Sequence, residues 1–301
     1  MEETIIYCPD IECDSCVKLI SKKLEKTQEV KQYEITSETI KVQSDLDKKN
    51  LIKIINDLGF RASTQPFERK TFKERIKHFK ENKKAYRMEI HAIKYFFSVL
   101  GILLLLQALA YLGLNNHIDM SPYISWMIYS SIAIAVIATA MWHFFIYKIR
   151  VTCMVGMMIG MTIGMQTGMM IGAILGATNG FFIGALVGML VSVAVGVITG
   201  QCCGVMGVME GMMAGVMGGT MGPMISVMMM SDHIEWFMPP YMLINIIITA
   251  LMIYMVYEES VEGKEVQTRT PDFFYFISLC VLASAAITAI MVFAPKNFLL
   301  G

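Results

Sequence analysis

Sulfur is where this sequence concentrates its chemistry. Cys13 and Cys16 form a Cys-x-x-Cys, Cys202 and Cys203 are adjacent, and Cys153 and Cys280 lie alone in apolar stretches. Of 28 methionines, 18 fall between Met154 and Met230. Thiolates and thioethers are soft ligands, suited to Cu(I) and other thiophilic ions. A Cys-x-x-Cys at a helix start also has its thiols made more acidic by the helix dipole, which makes thiolates available. An odd cysteine count with this spacing is a poor disulfide framework and a good ligand set, and it points to a reducing compartment for the N-terminal part. A thioredoxin-like redox pair is the competing use of Cys13 and Cys16.

The methionines are ordered. Met206, Met209, Met213, Met217, Met221, Met224 and Met228 are spaced 3, 4, 4, 4, 3 and 4 apart, which keeps one helix face nearly stationary. At 1.5 Å per residue that ladder rises roughly 33 Å, about the thickness of a bilayer's hydrocarbon core. Met154, Met158, Met161, Met165 and Met169 repeat the device upstream. Both runs are interleaved with glycine at every fourth position, from Gly156 to Gly188 and again from Gly196 to Gly204, with Ser192 filling the gap between them, and after a one-residue slip the series continues at Gly207, Gly211, Gly215 and Gly219. Small residues at that interval let helix backbones approach closely in lipid. Gly168-Met169-Met170-Ile171-Gly172 is echoed by Gly211-Met212-Met213-Ala214-Gly215, a weak internal repeat. The expectation is that the two ladders form two walls of one metal path. Glu210, the one ionisable carboxylate between residues 151 and 230, would balance a passing cation or hydrogen-bond to Gln166 or Thr167. Methionine as flexible filler between glycine-lined helices is the alternative.

The elements that must position these residues divide the chain in three. Residues 1–66 alternate short strands and amphipathic helices. A strand at 3–8 precedes a helix over Cys13–Lys26 with Val17, Ile20 and Leu24 inward. A hairpin at 30–36 and 39–43 follows, then a helix over Asp47–Leu58 and a weak strand at 60–64. That βαββαβ order predicts an α+β ferredoxin-like domain. Residues 69–87 hold nine Lys/Arg against two Glu, predicting a basic amphipathic linker helix (67–90) on anionic lipid rather than nucleic acid. Residues 91–301 predict an all-α polytopic membrane domain of about seven transmembrane helices with a Gly/Met-rich core at 151–230. The expected spans are 91–114, 123–147, 151–177, 180–200, 204–230, 239–257 and 272–294, with Pro223 kinking the fifth. By the positive-inside rule the N-terminus is cytoplasmic and the C-terminus outside, in agreement with an opening MEETIIYCPD that lacks signal-peptide character. Cys153, Cys202 and Cys203 would then stand at the cytoplasmic mouth. His117, Met120, His233 and Met238 would stand at the outer ends, and His143 and Cys280 read as packing residues.

Residues 3–64 resemble the heavy-metal-associated domain of copper chaperones and copper ATPases. The resemblance rests on Cys13-Asp14-Ser15-Cys16, the VKQYEI strand and the closing LIKIINDLGFRA. It implies that Cys13 and Cys16 hold Cu(I) as a near-linear dithiolate and that a cytoplasmic copper chaperone is a partner. Asp10-Ile11 replace the family's Gly-Met, which leaves Ag(I), Zn(II) and Hg(II) open beside Cu(I). The Met-x-x-x-Met and Gly-x-x-x-Gly elements are similar, in motif only, to those of Ctr-type copper transporters. No Walker A, DKTGT or intramembrane Cys-Pro-Cys is present, which excludes a copper P-type ATPase. The sequence therefore predicts a non-enzymatic membrane protein that moves a soft metal ion. A membrane-anchored metal sensor or store, or a thiol-disulfide relay, are the alternatives.

Overall fold

The structure is a computed structural model. It describes residues 2–8, 11, 14–25, 27, 30–36, 39–44, 48–56, 58, 60, 62–65, 87–114, 121–146, 153–260 and 273–295. Cys13, the linker before Arg87, His117, Met120 and the loop after Ser260 lie outside them. The chain divides into two units, Met1–Ala85 and Tyr86–Gly301.

In the first unit, β1 (Glu2–Tyr7), β2 (Val30–Ile35) and β3 (Thr39–Ser44) form an antiparallel sheet in the order β1-β3-β2. Ile6 pairs with Ile40, and Tyr33 with Val42. The strand expected at 60–64 is reduced to one bridge, in which Tyr7 and Ser63 exchange backbone hydrogen bonds of 2.8 and 3.0 Å. Two helices, α1 (Asp14–Glu25) and α2 (Lys48–Asn56), close near the expected residues. Ile6, Cys8, Ile11, Cys16, Ile20, Leu24, Ile40, Val42, Leu51, Ile55 and Phe60 form the core. The inward stripe of α1 is Cys16, Ile20 and Leu24 at four-residue spacing, whereas Val17, expected inside, is only half-buried. In α2, Leu51 and Ile55 point in and Ile54 is only half-buried, while Leu58, beyond the end of the helix, packs half-buried against the core.

The second unit is helical. Its elements are α3 (Arg87–Leu114), α4 (Ile124–Ile146), α5 (Cys153–Asn179), α6 (Phe181–Gly200), α7 (Gly204–Met229), α8 (Ile234–Ser260) and α9 (Phe273–Phe293). Six helical stretches among the described residues are long and apolar enough to cross a membrane, and this is a helical membrane domain. The fourth stretch, Phe181–Met229, is 49 residues long and is folded in two. A single 3₁₀ turn at Gln201–Cys203 ends α6, and Gly204 then takes φ +68°, a left-handed conformation that glycine adopts without a Cβ clash. Helices α6 and α7 therefore return on one another: Gly200 meets Gly207, Gly196 meets Gly211, and Ser192 meets Gly215.

Helix α5 joins this hairpin as a third rod, antiparallel to α6 and parallel to α7. Gly164 lies against both Gly196 and Gly211, and Gly172 against both Gly188 and Pro223. The contact is backbone on backbone. A Cβ on Gly184 would stand 2.6 Å from the Gly176 nitrogen. Ser192 fits the glycine slot because its hydroxyl bridges, lying 2.6 Å from the Gly188 carbonyl and 2.7 Å from that of Gly215 across the hairpin. No break accompanies Pro223: α7 runs continuously through it, and the ring fills space left by Gly172 and Gly176.

The other helices pack by side chains in an apolar cluster that includes Tyr95, Leu103, Ile134, Trp142, Ile159, Ile163, Met170 and Ile174. Two polar knots tie it. The Gln107 amide donates to Ser130 (3.0 Å) and Ser284 (3.3 Å) and accepts from Ser131 (2.7 Å). The Asn179 amide donates to the carbonyls of Ile290 and Ala294, both at 3.2 Å, where α9 ends.

Candidate metal centre

Five cysteines were candidate ligands. Cys13 is outside the described residues. Cys16 is buried on the core face of α1, in the same apolar cluster as Cys8 at the end of β1. Cys153 opens α5. Cys202 is exposed and Cys203 half-buried, on the 3₁₀ turn between α6 and α7. Their Sγ atoms are 3.7 Å apart, and the Cys202 thiol also donates to the Thr199 carbonyl at 3.4 Å. That separation is far beyond the roughly 2.05 Å of a disulfide and within the span of two metal–thiolate bonds of about 2.3 Å each. The pair can therefore close on one soft ion. Met206 begins the methionine stripe one turn further on.

The stripe itself faces the wrong way for an enclosed path. Met206, Met209, Met213, Met217, Met221, Met224 and Met228 are all between 41% and 61% exposed, while Gly207, Gly211, Gly215, Gly218, Gly219 and Gly222 are buried. On α5, Met154, Met158 and Met161 are also exposed, and Met165 and Met169 are half-buried. The backbone of α5 at Met165 and Met169 presses on Gly218 and Gly222, so the two ladders border one seam and open outward from it. They do not face each other as two walls of a closed column. The physical reason is angular. Gly211 and Met213 are two residues apart, roughly 200° around the helix, so a face that buries one must expose the other. Glycine wins the interior because only a residue without Cβ permits the backbone contacts described above.

Glu210 belongs to this outward side, half-buried between Met206 and Met213. It makes no bond to Gln166 or Thr167; the Thr167 hydroxyl donates instead to the Ile163 carbonyl at 2.7 Å. Met238, expected at an open outer end, is fully buried, and His233 is exposed with Asp232 4.0 Å away. His143 and Cys280 are buried, as packing residues should be.

Among the described residues no group of three or more His, Cys, Asp or Glu side chains converges as a metal cage. The chain matches no family model, no curated protein and no solved structure. What the sulfur pattern did not reveal is a second, interior set of methionines. Met170, Met238, Met242, Met252 and Met291 are all at most 5% exposed. On α8 the signal was available: Met238, Met242, Asn245, Thr249, Met252 and Val256 recur at 4, 3, 4, 3 and 4, a single buried stripe.

Proposed function

We propose that this protein binds a soft metal ion at the membrane and passes it across, with Cu(I) as the first candidate and Ag(I), Zn(II) and Hg(II) as chemical relatives. The observation that carries the reading is the Cys202/Cys203 pair, two thiols 3.7 Å apart on the turn that leads into a helix of thioethers. The N-terminal unit supports it. A sheet ordered β1-β3-β2 with a further bridge from Tyr7 to Ser63 agrees with the ferredoxin-like plan, on which Cys13 and Cys16 would collect Cu(I) from a cytoplasmic chaperone. The basic segment 69–87 favours a cytoplasmic N-terminus, which puts Cys202 and Cys203 on the same side. Ligand exchange between dithiol sites would then hand the ion to the membrane half. Neutral thioethers hold Cu(I) weakly enough to release it, as passage requires. The chain acts as a carrier or conduit and not as an enzyme.

The outward methionine faces favour one second reading, a membrane-anchored sensor or store that binds the ion without moving it. Binding is tested by competition with a chromogenic Cu(I) chelator, on the full chain in detergent. The Cys13→Ser/Cys16→Ser variant should lose part of the bound copper, Cys202→Ser/Cys203→Ser another part, and the two losses should add. A fourfold serine variant that competes as well as the parent, or a parent that fails to compete, contradicts the reading.

A further inference from the structure

The sheet of the N-terminal unit is covered on one side and open on the other. Ile6, Ile40 and Val42 are buried in one cluster with Ile20 and Leu24 of α1 and Leu51 and Ile55 of α2, so both helices lie on the same side. On the open side Ile5, Lys41 and Glu34 stand in a row across β1, β3 and β2. Charge is balanced there, since the Lys41 ammonium lies 3.3 Å from the Glu34 carboxylate.

The outer surface of the helix layer is unbalanced. Successive residues turn 100° about a helix, so a residue two places from a buried one points roughly the opposite way. Lys18 and Lys22 each stand two places from the buried Ile20, and Lys49 and Lys53 each two places from the buried Leu51. All four are exposed and directed away from the sheet, and among the described residues none is in an ion pair. Lys23 is exposed beside them, and Leu19, next to Lys18, leaves half of an apolar side chain in solvent. Glu25, at the end of α1, is the one acidic side chain described on either helix, and it accepts a hydrogen bond from the Tyr33 hydroxyl at 2.8 Å.

We infer that this lysine face of α1 and α2 docks on the anionic headgroups of the bilayer that holds the rest of the chain. Two observations select a lipid surface over an acidic protein. The unit is joined through the basic segment 69–87 to a helical membrane domain, so a bilayer is always within reach of its tether and docking is in effect intramolecular. The face also combines lysines, whose long stems lie along an interface, with an exposed leucine that can enter it. Each lysine near an anionic leaflet strengthens binding about fivefold, so four together are worth several hundredfold. Docking would keep the unit at the membrane surface with its open sheet side toward water. The inference is independent of the soft-metal reading and is tested on metal-free protein.

The full chain is placed in nanodiscs of phosphatidylcholine alone, or with phosphatidylserine as about a third of the lipid. Lysine acylation by a water-soluble ester is then followed residue by residue by mass spectrometry. In the anionic discs, acylation of Lys18, Lys22, Lys49 and Lys53 should slow about fivefold or more. It should recover near 1 M salt, where the Debye length is about 3 Å. Lys41, on the opposite side of the sheet, should react equally in both discs. In Lys18→Gln/Lys22→Gln/Lys49→Gln/Lys53→Gln, the slowing of Lys23 by phosphatidylserine should disappear. Equal acylation of the four lysines in both discs overturns the inference, as does slowing that survives high salt. Protection by added polyglutamate without any effect of phosphatidylserine also overturns it, and marks the face as one for an acidic protein.

Discussion

At the scale of single residues, the decisive property is the absence of a Cβ. Gly184 and Gly101 both sit inside apolar helices, but nothing lies within 4 Å of a Cβ built on Gly101, whereas Gly184 abuts the Gly176 backbone. Gly184→Ala should therefore destabilise the membrane unit by about 1–3 kcal/mol through overpacking. Gly101→Ala should be neutral, or stabilise by up to about 1 kcal/mol through helix propensity. Reversible unfolding in mixed micelles reads both. Gln107 is the polar counterpart. Its replacement by leucine strands the hydroxyls of Ser131 and Ser284 inside the helix cluster, with an expected loss of about 1–3 kcal/mol in the same assay. Which residues would matter was partly legible in the sequence: the glycine repeat announced close packing, and Ser192 stood in a glycine slot, but its bridging hydroxyl emerges only in the structure. Cys16 was less so, because Val17 is the better hydrophobe and only the three-dimensional path of α1 turns Cys16 inward.

At the scale of elements, helix positions were readable and helix orientation was not. The Thr-Asn-Gly and Gln-Cys-Cys-Gly breaks end α5 and α6 close to where the sequence places them, since glycine and short polar residues terminate apolar helices. For α5 and α7, however, glycine and methionine share a four-residue repeat and both are apolar, so hydrophobic periodicity cannot choose which faces inward. Close backbone packing chooses. The outward placement makes a clear prediction: Met213→Leu/Met217→Leu should shift unfolding by less than about 1.5 kcal/mol, as isosteric swaps on an open face do. Asn179 acts on an element boundary instead. Asn179→Ala should release the carbonyls of Ile290 and Ala294 and fray the end of α9, seen as faster hydrogen exchange there with the rest of the helix unchanged.

At the scale of the whole molecule, charge and sulfur are distributed unequally. The first 90 residues hold 19 of the 25 Lys/Arg, and the membrane half holds most of the methionine. On the proposed function, the N-terminal Cys-x-x-Cys unit would receive a soft ion from water and the thioether-rich helical unit would accept it into an apolar phase. The glycine-packed three-helix rod supplies rigidity and carries the Cys202/Cys203 turn and the outward methionines, and the side-chain-packed helices around it contain most of the interior methionines. The claim that most needs testing is passage itself. Full-length protein reconstituted into sealed vesicles with a Cu(I)-quenched fluorophore trapped inside should show quenching on addition of external Cu(I) under reducing conditions. The rate should exceed that of protein-free vesicles and fall when Cys202 and Cys203 become serine. Copper bound to the vesicle surface with no quenching inside would contradict transport and leave a membrane-anchored store.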